Sequence, residues 1–526
     1  MKTTTNNISL NIKSVWKSDL ISGFLVFLLA LPLSLGIAKA SGFPAAMGVL
    51  TAMLGGLVTV FFRVSELSIK GPAAGLITIA AAAVIELGGE EDGWKLACGA
   101  IVIMAVLQML FGFLKFGALG DLFPHAVIHG MLASIGLIII AKQIPVLLGI
   151  DPTLYADKSP FELYTELPNY ISIANWKTTT LGLIGLTILF AMPLINIDLF
   201  KKIPAPLIVL LVAVPLALFW DFKTTQEAYA LVTIGDFWGS LSINADFSAI
   251  GTFIFWKYVI MFLFVSSLES LLTAKALDNL DPYKRQANYN GDLVGQGFGN
   301  AISGLLGGLP MISEVVRSTS NITYGAKTKL SNFFHGFFLL VSMLVLIPVI
   351  EMIPNSALAA MLIFAGYKLT APKEFLQTYK IGKEQLAIFL TTIFVTLAED
   401  LLLGVFAGIL LKLIFHATNG VKISHLFRAQ VSIEHNKNGS ISVHIFEAAI
   451  FTHLLKLHKI LDKLPKGKSI ILLFENCNLI DHSYLEFIEQ YKRSYENDGG
   501  KFQWVGIEAL KPVSAHSLAT RKKVEK

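Results

Sequence analysis

Residues Ser313–Asn321 read SEVVRSTSN, which puts Glu314 and Arg317 one helical turn apart among Ser313, Val315, Ser318, Thr319, Ser320 and Asn321. Both flanks are apolar: GNAISGLLGGLP precedes the stretch, and NFFHGFFLLVSMLVLIPVI follows it at 332–350. A charge at the centre of a bilayer costs about 2.5–3.5 kcal/mol on insertion scales, so each charge there answers to a partner or a ligand. Arginine keeps its charge and presents a planar fork of donors that matches an oxyanion. The break at Gly307-Gly308-Leu309-Pro310 ends the preceding element, and Ser313 is placed to cap a new helix. Glu314 then falls in the first turn, where a carboxylate suits the helix dipole. Arg317 follows at i+3 on the same face. Two readings stay open: Glu314 and Arg317 pair with each other, or Arg317 binds an anion while Glu314 carries a proton.

A second stretch, SIKGPAAGL at 68–76, has related punctuation. Pro72 suits the first turn of a helix, and Gly71 and Gly75 remove bulk near Ala73 and Ala74. A half-helix starting at about Pro72 would present free N–H groups and roughly half a positive charge at its tip. Two such tips aimed at one point make an anion cradle. Glu269 is a third candidate, inside MFLFVSSLESLLTAKALDNL at 261–280 with Ser266, Ser267, Ser270 and Thr273 around it. It could protonate, bind Na+ with Thr273, pair with Arg317, or join helices as a neutral acid. His125 and His129 have a zinc-like i, i+4 spacing, but no further ligand stands near, so they read as polar residues at the end of a span. Cys98 and Cys477 give no disulfide framework.

These residues need elements that hold them at membrane depth. The chain has 526 residues, 54% hydrophobic and 15% charged, with a mean hydropathy of +0.64. Soluble proteins carry about 25% charged residues. The apolar runs fill 19 to about 416 and then stop. A span needs about 20 apolar residues. Candidates are 19–40, 44–63, 95–115, 124–149, 178–197, 204–220, 253–277, 289–308, 330–350, 355–369, 384–398 and 401–416. Adding 68–88 and the SEVVRSTSN stretch makes fourteen elements. Connections on one side carry Lys17, Arg63, Lys115, Lys201, Lys202, Lys284, Arg285, Lys327 and Lys329, while the opposite loops are acidic on balance. By the positive-inside rule both termini are cytoplasmic, and the protein is multi-pass in the cell's inner membrane. No cleavable signal peptide is visible, and residues 1–18 form a polar N-terminal segment. The net charge of +5 does not indicate a nucleic-acid partner. No metal cluster, nucleophile triad or phosphate loop points to an enzyme. Cutting the membrane part at about residue 221 puts the two Gly-Pro breaks in matching positions of two halves, about 19–220 and 250–416.

The tail, 422–526, alternates strand and helix, as a small α/β domain does. SIEHNKNGSISVHIFEA reads as a hairpin turning at 436–439, FTHLLKLHKILDKL as a helix and KSIILLFENC as a buried strand. DHSYLEFIEQYKRSYENDG reads as a helix capped by Asp481, and KFQWVGI as another strand.

Taken together, the stretch GQGFGNAISGLLGGLPMISEVVRSTSN (295–321) resembles the hallmark of the SulP family of anion transporters. SIKGPAAGL resembles that family's third, half-helical element, and DLISGFLVFLLALPLSLGIAKASGFP its first helix. The tail resembles a STAS domain. The resemblance implies fourteen elements in two inverted repeats of seven, with a core of elements 1–4 and 8–11 and a gate of 5–7 and 12–14. It implies a membrane domain at 19–418, an anion held between half-helices 3 and 10, elevator-like movement and a homodimer in membrane lipid. The implied substrate-binding positions are Ser34, Ala73, Ala74, Gly75, Ser313, Glu314, Val315, Arg317 and Ser318. Those for a coupling ion, H+ or Na+, are Glu269, Thr273 and Glu314. The implied substrate is sulfate, with bicarbonate or a dicarboxylate as the alternatives, and the STAS domain would meet cytoplasmic proteins. An anion sensor signalling through that domain is a reading from another class. The chain departs from the family at Ser34, where Gln is more usual, at Lys70 before the Gly-Pro pair, and at Glu314. Members resembling Na+-dependent bicarbonate transporters lack arginine at the position of Arg317.

Overall fold

Proline and glycine set most helix ends in the apolar region. The computed structural model describes residues 12–117, 123–155, 158–195, 203–239, 241–283, 285, 287–399, 401–437, 439–465, 467–497 and 499–523. Residues 1–11 of the polar N-terminal segment, Lys201, Lys202 and Lys284 of the charge pattern, and Asn438 of the hairpin turn lie outside the described residues. Packing divides the chain into two units, residues 1–117 with 135–369, and residues 118–134 with 370–526.

The first unit contains α1 (Ile12–Ala40), α2 (Ala45–Leu57), β1 (Lys70–Pro72), α3 (Ile77–Phe113) and most of α4 (His125–Leu148). It continues through α5 (Trp176–Ala191), α6 (Ala205–Phe219), α7 (Phe253–Leu280) and α8 (Tyr289–Leu305). β2 (Met311–Ser313), α9 (Val315–Thr323), α10 (Leu330–Val345) and α11 (Asn355–Leu369) complete it. Gly89, at φ 73°, breaks α3 into two helices, because only glycine enters that backbone region without strain. This is the boundary expected between the 68–88 and 95–115 runs. The segments 150–177 and 221–250 carry only short turns of helix. Small residues let helix backbones approach: a side chain at Gly56 of α2 would collide with Gly336 of α10. Leu211, Leu218 and Phe219 of α6 and Phe253 of α7 stay exposed, as a lipid-facing surface requires. Among the described residues, six helices are long and apolar enough to cross a bilayer, with shorter apolar helices beside them.

One expectation is corrected here. The sequence suggests a helix from Pro72, yet Pro72 ends strand β1 and Ala73 remains extended at φ −96°, ψ 134°. The helix starts with a tight turn at Ala74–Leu76 and continues as α3. The reason is long-range: β1 forms a ladder with β2, which starts the helix two residues later, with Pro72 and Ala73 extended.

The second unit contains α12 (Pro372–Ile381), α13 (Lys383–Ala398), α14 (Leu401–Thr418) and the tail. The tail is a sheet with helices α15 (Leu454–Leu461) and α16 (His482–Asn497). Its strands are β3 (Gln430–His435), β4 (Ile441–Ala449), β5 (Ser469–Ile480) and β6 (Lys501–Val505), with two-residue strands β7 (Lys511–Pro512) and β8 (Arg521–Lys522). The β3–β4 pair is antiparallel, whereas β4 and β6 both run parallel to β5. Val443, Leu457, Leu472, Phe474 and Ile488 fill the core. Asp481 caps α16 as expected, accepting from Tyr484 N at 2.7 Å. It also meets Lys412 Nζ of α14 at 3.1 Å, while Lys412 donates to Ser483 Oγ at 2.9 Å. Burial alone would push the Asp481 carboxyl up. The Lys412 ammonium, His416 and the Tyr484 N–H outweigh it and hold the group well below the usual carboxylate range.

Cys477 lies in this core, and burial pushes its thiol up to about 12. Since the thiolate is the nucleophile, Cys477 is expected to resist maleimide in the folded protein at neutral pH and to react on unfolding. Mass spectrometry of the labelled peptide checks this, and fast native labelling would show that the domain core is open.

Candidate functional site

The two half-helices start from one buried ribbon. β1 and β2 pair antiparallel, with Lys70 opposite Ser313, Gly71 opposite Ile312 and Pro72 opposite Met311. All six residues are buried. Because the strands are antiparallel, α3 leaves one end of the ribbon and α9 leaves the other. Their N-termini therefore face each other across a ladder about 10 Å long. Both dipoles present their positive ends to the same region.

Four asparagine and glutamine side chains fix the ribbon. Asn300 of α8 accepts from Met311 N at 2.6 Å and donates to Met311 O at 3.3 Å. Gln296, one turn earlier, donates to the same carbonyl at 2.9 Å. This is the physical content of the QGFGN segment: two side chains one turn apart replace a missing strand partner. On the other side Asn332 of α10 accepts from Lys70 N at 3.2 Å and donates to Gly55 O at 3.0 Å. Asn321 of α9 donates to Leu67 O at 3.0 Å. Asn300→Leu is expected to orphan Met311 N, whose carbonyl keeps Gln296, and to cost about 1–3 kcal/mol, read as a lower unfolding midpoint in detergent. An unchanged midpoint would mean that the ribbon does not depend on α8.

Ser313 does not cap α9, which corrects the sequence reading. Glu314 is the capping residue, accepting from Arg317 N at 2.9 Å. Serine is a favoured cap, but Ser313 is still in the ladder. Its hydroxyl is bound by Lys70 Nζ and lies 3.3 Å from Asp292 Oδ2, and its N–H donates to Ser270 Oγ at 3.1 Å. Lys70 and Asp292 form an ion pair at 2.7 Å with neither side chain exposed. Ser65 N donates to the other carboxylate oxygen at 3.0 Å.

Arg317 is fully buried, and none of its three guanidinium nitrogens has a hydrogen-bond partner. The nearest carboxylate oxygen, Glu314 Oε2, is 4.0 Å from Nε. The guanidinium rests on Gly71, where a side chain would collide with Nη1. His335 of α10 lies within electrostatic range, fully buried, with both ring nitrogens unpartnered. Ser318 is turned to the ribbon and accepts from Ile69 N at 2.9 Å.

Glu269 of α7 lies on the other half-helix. Its carboxylate rests against Gly75, where a side chain would strike both oxygens, and Oε1 has no hydrogen-bond partner. Two glycines thus face two ionisable side chains, Gly71 of the ribbon facing Arg317 and Gly75 of the first helical turn facing Glu269. Thr273 is buried one turn beyond Glu269. Ala73 and Ala74 supply backbone at the start of the half-helix. Ser34 of α1 is buried with its hydroxyl unpartnered. Val315 is half exposed on the first turn of α9. Sequence reasoning quotes Asn321 in the polar stretch and Asn300 in the hallmark segment without giving either a role, and it misses Asp292, Asn332 and His335. Their one common signal is a polar type at membrane depth.

Comparison with known proteins covers most of the chain. Residues 16–392 match the Sulfate permease family. "Putative sulfate transporter YvdB" of Bacillus subtilis is 25% identical over 523 residues, 97% of this chain and 95% of that protein. The bicarbonate transporter BicA of Picosynechococcus is 27% identical over 407 residues, 75% of this chain and 69% of its own length. Among solved structures, the transmembrane domain of a cyanobacterial BicA matches with a TM-score of 0.64 at 23% identity, over 76% of this chain and 98% of that one. Murine Solute Carrier 26 family member A9, an anion transporter in the inward-facing state, matches with a TM-score of 0.68 at 15% identity, over 94% of this chain and 86% of its own. These structural likenesses speak for the fold.

Proposed function

The chain belongs to the sulfate permease family, and from that premise we propose that it moves a small inorganic oxyanion across the membrane by secondary active transport. One observation carries the reading. A fully buried guanidinium without a hydrogen-bond partner, its nearest carboxylate oxygen 4.0 Å away on Glu314, lies where two half-helix N-termini converge. A buried cation left unpaired is costly, and an oxyanion supplies what it lacks. The relatives named for a substrate carry sulfate or bicarbonate in their names. Sulfate is our first reading, since Arg317 adds a charge suited to a doubly charged anion. Bicarbonate and dicarboxylates are the alternatives.

Glu269 suggests how a gradient enters. Its carboxylate packs against the first turn of one half-helix, so when ionised it opposes an arriving anion with a like charge in a region of low dielectric. Binding becomes favourable once Glu269 takes a proton, or a Na+ shared with Thr273. That linkage makes the process symport. The remaining proposal is architectural: fourteen elements in two inverted repeats, elevator-type movement, a homodimer, and both termini on the cytoplasmic side of the inner membrane.

Uptake of radiolabelled sulfate and bicarbonate into proteoliposomes, with pH and Na+ gradients imposed separately, tests the reading. Glu269→Gln is expected to bind anion without a gradient and to lose acceleration by the coupling gradient. Tight anion binding with no net flux in any gradient would replace the transport reading by that of a sensor.

A further inference from the structure

A second place in the first unit combines a cation, a helix start and unpaired buried polar atoms. A small, partly open cavity is lined by Lys39, Tyr155, Thr178, Tyr229, Asn355 and Ser356, among others. Lys39 is in the last turn of α1, at the end away from the polar N-terminal segment. Among the described residues no carboxylate is paired with it. Asn355 and Ser356 open α11, a helix of 15 residues whose dipole adds positive potential at its start.

Two atoms show what the cavity lacks. Asn355 donates through Nδ2 to Tyr229 O at 2.7 Å and Leu231 O at 2.6 Å. Those bonds fix the orientation of the amide, and the buried Oδ1 has no partner. Ser356 is fully buried, and its hydroxyl is also unpartnered. Buried polar atoms in native proteins are as a rule satisfied by protein, water or ligand. Glu227 bears on the phenol of Tyr229 alone, and the acid bearing on both Tyr155 and Tyr229 is Asp151. Its carboxylate is already engaged by Thr153, through N–H at 2.9 Å and the hydroxyl at 2.8 Å.

The chemistry is therefore mixed. Lys39, Ser356 and the phenols offer donors, and Asn355 Oδ1 offers only a lone pair. Fully ionised sulfate has acceptors alone and leaves Oδ1 unmet. An oxyanion with one hydroxyl hydrogen meets both sides: its charged oxygens take the donors, and its O–H goes to Asn355. We propose that this cavity is a second anion site, separate from Arg317, that takes a small oxyanion carrying one hydroxyl hydrogen, hydrogencarbonate being the simplest. Binding there does not depend on the transport reading.

The test is binding to the full chain in detergent micelles, in an Arg317→Ala background that disables the ribbon site. Hydrogencarbonate and sulfate are titrated separately at constant ionic strength, and thermal unfolding is followed. Hydrogencarbonate is expected to raise the midpoint, and sulfate is not. Adding Lys39→Gln or Ser356→Ala is expected to raise the half-saturating concentration about tenfold, the usual effect of losing one bond to a charged ligand. Ser356→Ala removes only an unpartnered hydroxyl, so it keeps the test valid if changes at Asn355 misfold the protein. No hydrogencarbonate shift, an equal shift with sulfate, or a shift indifferent to both added variants would overturn the proposal. Normal uptake by Arg317→Ala alone would refute the ribbon site and leave this result standing.

Discussion

Arg317→Ala is expected to lower anion uptake by at least about 100-fold while leaving the protein as stable as before, or more stable. The two halves of this prediction come from one fact, the absence of any hydrogen-bond partner for the guanidinium. A charge-assisted hydrogen bond contributes about 1.5–3 kcal/mol, so losing two to a bound anion removes about 3–6 kcal/mol. Each 1.4 kcal/mol is about tenfold. In the empty protein the same group is a buried cation without a hydrogen bond, its nearest carboxylate oxygen 4.0 Å away, and removing it relieves a penalty. Arg317→Lys is expected to fall between, because an ammonium is a point charge without the planar fork. Initial uptake rates in proteoliposomes and unfolding midpoints in detergent check both halves. Uptake at the wild-type rate would take Arg317 out of the mechanism. A loss of stability above about 2 kcal/mol would mean that the protein itself pairs this charge.

The reason Arg317 stands out in the sequence also explains what stayed hidden. Charged and hydroxyl residues at membrane depth are costly, so SEVVRSTSN and Glu269 draw notice without any fold. Glycine and proline act locally, so the two breaks near residues 71 and 310 predict interrupted helices correctly in kind. Their details are set at long range. Nothing within a few residues of Pro72 says that it will pair with Met311, 239 positions away in the register of the ribbon, and that pairing delays the start of α3. Ser313 looks like a cap because serine usually is one; only the ladder and the Lys70–Asp292 pair explain why Glu314 takes the role. In the tail, alternation and helical spacing give the strand and helix order directly, because each signal there is local. The two-residue strands β7 and β8 carry no such signal.

Lys70→Met is expected to cost about 3–5 kcal/mol, the largest stability effect of any single change in the ribbon. Lys70 and Asp292 are both fully buried. Removing one leaves the other charged, with too few donors or acceptors. For Asp292 the remaining contacts are Ser65 N at 3.0 Å and the Ser313 hydroxyl at 3.3 Å. Asp292→Leu is expected to be equally harmful, since it leaves the ammonium with the Ser313 hydroxyl. The double variant Lys70→Met with Asp292→Leu separates two roles for the pair. Replacing both charges by apolar groups of similar volume is often neutral for stability, so most of the lost midpoint is expected to return. Uptake in the double variant then decides the rest. The pair is neutral as a unit and lies on the Ser313 side of the ladder, so an anion at Arg317 should feel little net charge from it. Uptake within about threefold of wild type is the expected outcome, since additivity at sites without shared partners holds to a few tenths of a kcal/mol. A stable double variant without uptake would instead make Lys70 part of the anion's path.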